Sequence, residues 1–290
     1  VPWAALITVY LVWGSTYLGI RVAVGTIPPY LMTGFRYLVA GGLLFALQLL
    51  LSKTKPSLPD RRELLQIVFV AALLLCIGNG LLCVAETRVE SGTSALLLAS
   101  TPIFMVFLDA LRSRKPPATS AIGGMVLGTA GIAALVGRGA GNVDPWTAGM
   151  ILLGAFSWAL GSVYARGRKF GPFTASFEMI AGGILCSIVA VVIGETAHFR
   201  IASVTPDSLW GLVWLITGGA MLGYSAFAYA VRRLPTATVA TYGYVNPVVA
   251  VILGALVLHE PLTWNVLGGG AAVIVSVVLI LLGNRSPVPA

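Results

Sequence analysis

The sequence predicts an all-α polytopic membrane protein, with ten transmembrane helices arranged as two inverted five-helix repeats. Three observations carry that expectation. Mean hydropathy is +0.93 and charged residues make up 10% of the chain, against roughly 25% in soluble domains. The apolar runs are long enough to cross a bilayer. Rare residues also recur 145 positions apart, which is half of the 290 residues.

Crossing roughly 30 Å of hydrocarbon takes about 20 apolar residues. Ten stretches meet that length, near 3–24, 31–51, 64–85, 91–110, 119–137, 147–165, 173–194, 209–231, 236–258 and 264–283. The first carries Trp3, Trp13 and Tyr17, with no basic leader before it and no small-residue cleavage site after it. It reads as a mature helix and not as a signal peptide. On this span Trp13, Tyr17 and Arg21 follow at i, i+4 and i+8 and share one face. The second span holds Arg36, the one deep charge, close enough to one end to snorkel as an interface anchor, with contact to substrate as its alternative role. The third places Asn79, Cys83 and Glu86 on one face.

The fourth span contains Thr101 and Pro102 about 16 Å from its start at Ser91, half the hydrocarbon thickness. The fifth, "GGMVLGTAGIAALVG", has Gly124 and Gly128 as GxxxG, and the tenth repeats small residues at Gly268, Ala272 and Ser276. Small faces pack closely, so this pair reads as scaffold and offers a face for a homodimer. The sixth span carries Trp158, Ser162 and Arg166, and the seventh "IAGGIL". On the eighth, Phe227 follows Tyr224 by three. On the ninth, Thr238, Thr241, Tyr242 and Asn246 make a polar, aromatic stripe that meets Pro247. Cys76, Cys83 and Cys186 lie inside spans without metal-ligand spacing and read as small packing residues.

The repeat sets the domain division, 1–140 and 141–290. A shift of 145 lays Trp13 on Trp158, Arg21 on Arg166, Gly78 on Gly223, Arg88 on Arg233, Pro102 on Pro247 and Pro116 on Pro261. The second span needs a shift of 141, which lays "VAGGLL" on "IAGGIL". Five spans per unit is an odd number, so the second unit enters the membrane upside down. Inverted repeats mark secondary transporters, whose substrate site lies near the midplane where the repeats meet. Proline in a helix frees the carbonyl four residues earlier, here Leu98 and Gly243, and such a carbonyl is tolerated where it lines a watery cavity. Pro102 and Pro247 therefore read as kink and gating positions, expected to bias the carrier toward opposite facing states when replaced. The expected substrate-binding residues are Trp13, Tyr17, Asn79, Thr101, Trp158, Tyr224, Tyr242 and Asn246, converging at mid-bilayer.

The net charge of +8 points to topology and not to nucleic acid, because no basic cluster exceeds a short loop. With the N-terminus in the cytoplasm, the inner loops hold thirteen basic residues: Lys53, Lys55, Arg61, Arg62, Arg112, Arg114, Lys115, Arg166, Arg168, Lys169, Arg232, Arg233 and Arg285. The outer margins hold four: Arg21, Arg88, Arg138 and Arg200. The positive-inside rule places both termini in the cytoplasm and Glu260 outside.

"VWGSTYLGIR" in the first helix, "NPVVAVILGALVLHEPLT" across the ninth and tenth, and the matched prolines resemble the EamA-type carriers of the drug/metabolite transporter superfamily over essentially the whole chain. The resemblance implies a carrier in a bacterial inner membrane, with its cavity between the repeats and the fifth and tenth helices at its back. It also implies export of aromatic or other neutral amino acids, a small-molecule substrate with the lipid bilayer as the other partner, no cofactor and no catalytic or metal site.

Rival classes find less support in the residues. An intramembrane enzyme needs a nucleophile and base, or metal ligands, at one depth, and the two histidines, His198 and His259, lie in or beside loops. A channel has no need of matched broken helices. An organic-cation exporter would want an anion deep in the cavity. The carboxylates Glu86, Asp109, Glu178, Glu195 and Glu260 each sit within a few residues of a span end. That placement predicts gradient-following transport without an obligatory proton, with Glu86 as the residue able to overturn it.

Overall fold

The computed structural model describes residues 2–51, 59–114, 116–136, 143–165, 173–231, 233–234, 239 and 241–283. Among them the chain is helical throughout, apart from turns, loops and one isolated bridge between Val136 and Val143. In order the α-helices are α1 (Pro2–Ala23), α2 (Pro29–Leu51), α3 (Arg61–Ala71), α4 (Gly80–Ala85), α5 (Ser91–Leu98), α6 (Thr101–Ser113), α7 (Thr119–Leu135), α8 (Pro145–Ala165), α9 (Thr174–Val192), α10 (Glu195–His198), α11 (Pro206–Trp214), α12 (Gly223–Val231), α13 (Tyr242–Val257) and α14 (Trp264–Gly283). Two π-helical segments, Ala72–Asn79 and Leu215–Leu222, join α3 to α4 and α11 to α12.

Among the described residues, seven stretches are long and apolar enough to cross a membrane: Pro2–Ala23, Pro29–Leu51, Arg61–Ala85, Ser91–Ser113, Pro145–Ala165, Thr174–Val192 and Pro206–Phe227. Thr119–Leu135, Tyr242–Val257 and Trp264–Ile280 are apolar but shorter. The ten-span expectation is thus met in its helical, multi-pass character, with seven spans reaching full length.

Helix starts follow from local chemistry. Asp60 accepts from Glu63 N at 2.7 Å, Asp144 from Trp146 N and Thr147 N at 3.1 and 3.0 Å, and Thr205 from Ser208 N at 3.3 Å. Each is an N-cap side chain filling one of the orphan donors of a first turn, with proline opening α8 and α11. Two more helix starts borrow a cap from far along the chain. Glu195 accepts from Tyr30 N and Leu31 N at 3.2 and 2.8 Å. Glu260 accepts from Ser91 N, Ser91 Oγ and Gly92 N at 2.8, 2.8 and 3.1 Å.

Small residues set the closest helix pairs. The matched motifs "VAGGLL" and "IAGGIL" pack on each other: a Cβ on Gly41 would lie 2.9 Å from Ile180 N, and one on Gly183 would lie 2.7 Å from Leu38 N. Helices α7 and α14 pair in the same way, with Gly124 against Ser276 O and Gly131 against Gly269 O, each at 2.8 Å from an added Cβ. The GxxxG face is therefore spent inside the chain. The main buried cluster gathers Ile20, Met32, Tyr37, Leu82, Cys83, Leu212, Leu215 and Ile216, with Tyr17 and Tyr224 packed against it. Leucines and valines such as Leu11, Leu50, Val192 and Leu256 point outward, as lipid-facing residues do.

The two prolines behave differently, which corrects the expectation of two broken helices. The fourth span breaks at Ala99–Ser100, and α6 restarts with Pro102 in its first turn. Helix α13 runs through Pro247 without interruption. The predicted stripe on the ninth span includes Thr238, and the basic residues Lys53, Lys55, Lys115, Arg138, Arg166, Arg168, Lys169, Arg232 and Arg285 were used for topology; all of these lie outside the described residues.

Candidate substrate site between the two halves

Three aromatic rings from three helices meet at the centre of the molecule. The Trp13 ring lies 5.0 Å from Phe227 and 5.2 Å from Tyr242, edge-on to the latter, and Phe227 to Tyr242 is 5.7 Å. These spacings are in the favourable range for aromatic pairs. Trp13 Nε1 donates to Gly219 O at 3.1 Å. That carbonyl belongs to the second π-helical segment, whose wider turn leaves carbonyls without their ordinary partners; such segments frequently mark functional positions. Trp13 also lies flat against Gly223, where no side chain intervenes.

The matched tryptophan does something else. Trp158 packs on Gly78, with Cε3 3.3 Å from where a Cβ would be. The residue beside it, Ser157, donates to Leu73 O of the first π-helical segment at 2.8 Å. The pair Trp13–Gly223 and the pair Trp158–Gly78 are the residues that the 145 shift equates, yet the described aromatic contacts of Trp13 have no counterpart at Trp158.

A polar group adjoins the rings. Arg36 Nη1 reaches Asn79 Oδ1 at 3.5 Å, the long limit of a hydrogen bond, and Cys83 Sγ lies 3.6 Å from the same oxygen. Arg36 also sits over the Tyr37 ring at 4.9 Å. A Cβ added to Gly219 would stand 3.3 Å from Arg36 Nη2. Gly219 thus touches both Trp13 and Arg36, and its lack of a side chain keeps that junction open. Arg36 is only 5% exposed and its Nε has no partner. It does not snorkel, which corrects its reading as an interface anchor: the face of α2 that carries it turns inward onto Asn79.

Each end of the site is latched. Tyr10 and Thr241 hydrogen-bond through their hydroxyls at one end. At the other, Arg21 donates to the backbone oxygen of Glu86, and Glu260 holds the start of α5. Glu86 ends the α4 helix yet is 0% exposed, and neither carboxylate oxygen has a hydrogen-bond partner.

The predicted residues therefore divide. Trp13 and Tyr242 come together with Phe227, Tyr17 and Tyr224 pack on one cluster, and Asn79 meets Arg36. Thr101 instead donates to Leu98 O at 2.7 Å, so the carbonyl freed at the break is already filled. Asn246 is 6% exposed; with its amide turned so that the nitrogen faces the surrounding acceptors it donates to Tyr10 O and Tyr242 O at 3.2 and 3.3 Å, and the first of these bonds ties α13 to α1. Tyr10, Phe227, Gly219 and Arg36 were not among the predicted site residues. Phe227 was visible at three residues from Tyr224, but nothing in residue type announces Gly219. Among the described residues no group of three or more His, Cys, Asp or Glu is placed to hold a metal ion. A groove of about 520 Å³ between Phe107, Leu111, Arg114, Pro116 and Val126 lies apart from this site.

The fold and the site are those of a multi-pass membrane carrier. The EamA-like transporter family matches twice, over residues 3–137 and 145–282, and the chain belongs to that family. It is similar to the uncharacterized inner membrane transporter YedA of Escherichia coli strain K12, at 36% identity over 97% of this chain and 90% of that one. It also resembles a probable amino-acid metabolite efflux pump of Salmonella typhimurium, at 23% identity over 96% of this chain and 93% of that one. A solved crystal structure covers 98% of this chain at 16% identity with a TM-score of 0.68, which speaks for the fold alone.

Proposed function

We propose that the protein is a secondary transporter that moves small neutral or zwitterionic metabolites, foremost aromatic amino acids, by alternating access. One observation carries this reading: the rings of Trp13, Phe227 and Tyr242 meet the polar Arg36–Asn79 pair at Gly219. An aromatic wall for an apolar side chain and polar groups beside it suit an amino acid. The two-fold match of the family supports a pair of repeats, 1–140 and 141–290, and the odd number of spans expected in each would invert them. Helix α13 is the element that would switch. Its first turn adjoins the Tyr10–Thr241 contact, and Glu260 follows its far end to cap Ser91 and Gly92. Opening one latch while the other holds would expose the site to one side at a time.

In this reading the protein sits in a bacterial inner membrane with both termini in the cytoplasm and Glu260 outside. Gly123 and Gly268 meet nothing within 4 Å, so the outward side of the α7–α14 pair is where a homodimer would form.

A second reading, an organic-cation exporter, draws on the buried carboxylate of Glu86. One experiment separates the two. Purified protein in liposomes is assayed for counterflow of labelled amino acids, nucleosides and organic cations. Saturable amino-acid counterflow is expected; movement of cations alone would replace this reading with the second.

A further inference from the structure

We propose that Arg36 and Glu86 receive the two charged ends of a zwitterionic α-amino acid, Arg36 its carboxylate and Glu86 its ammonium group. The proposal rests on the amino-acid reading above and names what recognises the charges.

Both side chains are buried, at 5% and 0% exposure, and both are unsatisfied: Arg36 at Nε, Glu86 at both carboxylate oxygens. An ionisable group left without a partner in such surroundings is costly, and within a membrane it marks function by default. Asn79 links the two: its Oδ1 takes Arg36 at 3.5 Å and lies 3.6 Å from Cys83 Sγ, and Glu86 follows two turns further along the same face. The two groups do not hydrogen-bond to each other, because neither Glu86 oxygen has a partner. Here each is tethered. The Arg36 guanidinium is held by Asn79 Oδ1 and the Tyr37 ring. Glu86 is held at its backbone oxygen by Arg21. The other charges facing Glu86 are engaged: Arg21 on that carbonyl, and Glu260 on Ser91 and Gly92.

A guanidinium and a carboxyl group that are both buried and not bonded to each other fit a ligand carrying both charges in the reverse order. A cation alone would leave Arg36 unsatisfied, and an anion alone would leave Glu86 so. The orientation follows as well. With its carboxylate on Arg36, the ligand begins at Gly219, and the same glycine binds Trp13. Its side chain would then run into the Trp13–Phe227–Tyr242 rings. Neutral hydrogen bonds from Asn79 alone would not offset the desolvation of two charges.

The test is counterflow in liposomes with three compounds that share one aromatic group: phenylalanine, phenethylamine without the carboxylate, and 3-phenylpropionate without the ammonium. A site built to bond a group rejects analogues lacking it, so the wild-type protein should move phenylalanine at least about tenfold faster than either. Arg36→Gln should narrow the gap to phenethylamine, and Glu86→Gln the gap to phenylpropionate, each leaving the other gap in place. If wild-type protein moves either truncated compound as fast as phenylalanine, the inference falls, whatever the variants do. If folded variants keep both gaps, the inference falls and the amino-acid reading stands. If wild type moves none of several amino acids, both fall together.

Discussion

Pro102 and Pro247 occupy equivalent places in the two halves, and the chain answers them in opposite ways. At Pro102 the helix stops at Leu98 and restarts at Thr101, so the proline sits in a first turn, where its missing N–H would have had no partner anyway. The Thr101 hydroxyl fills the Leu98 carbonyl. At Pro247 helix α13 continues, and the residue before the proline reaches sideways: Asn246 bonds Tyr10 O and Tyr242 O. The first half absorbs its proline locally, whereas the second spends its polar neighbour on a tie between helices. The tryptophans show the same asymmetry. Trp13 joins Phe227 and Tyr242, while Trp158 only packs on Gly78. Of the residues that the 145 shift equates, one set gathers at the ring cluster and the other packs.

Four measurements would break or sharpen that contrast. The tryptophans should give the largest effect. Trp13→Ala should reduce transport about tenfold or more with a modest loss of stability, because it removes a wall of the site. Trp158→Ala should instead destabilise by about 3–5 kcal/mol, with transport falling only in proportion to folded protein. Transport assays and melting curves on both variants separate the two.

Next in size is the inter-helix tie. Asn246→Leu removes the bond from α13 to Tyr10 O on α1 together with the one to Tyr242 O within α13 and should cost about 1–2 kcal/mol, against a smaller loss for Thr101→Val, whose partner is three residues away. Equal losses would remove the distinction drawn here. The prolines come third. Pro247→Ala supplies an N–H to Gly243 O and should raise stability by about 1 kcal/mol while slowing transport. Pro102→Ala should change little, since the break precedes it. Opposite and equal shifts in facing state, as the repeat alone suggests, would show that the halves are used symmetrically after all.

The smallest effect is acid sensitivity at a span start. Hydrogen bonds from Thr147, side chain before backbone, hold the exposed Asp144 carboxyl below the usual range. A lowered folded pKa contributes stability above the unfolded value, and that contribution disappears as pH falls through the folded one. Asp144→Ala should therefore lower Tm slightly at pH 7, with the difference from wild type vanishing on the acid side of about pH 4.

Much of this was readable from residue types. The helices follow from hydropathy, and the 145 shift that pairs tryptophans, glycines and prolines also pairs the residues of the Trp13–Gly223 and Trp158–Gly78 contacts. Three features escaped. The π-helical segments change hydrogen-bond register without a characteristic residue, so the Gly219 carbonyl that accepts from Trp13 left no trace in the sequence. Arg36 looked able to reach an interface because depth along a helix was legible and its facing direction was not. Glu86 looked exposed because it ends a helix; the cover over it comes from distant residues, Arg21 and the segment around Glu260, and distance from a helix end cannot register that. This burial also weakens the expectation of proton-free transport, which rested on that distance.

The central claim is that substrate occupies the space between the halves beside Trp13 and Tyr17. It is tested most directly by thiol protection. Cysteine is placed at Tyr17 and, as a control, at the lipid-facing Ile184, in protein whose Cys76, Cys83 and Cys186 have been replaced. Phenylalanine should slow labelling of Tyr17→Cys, saturating over the concentrations that saturate transport, and leave Ile184→Cys unaffected. Labelling of Tyr17→Cys that is indifferent to a substrate the same protein transports would contradict the account.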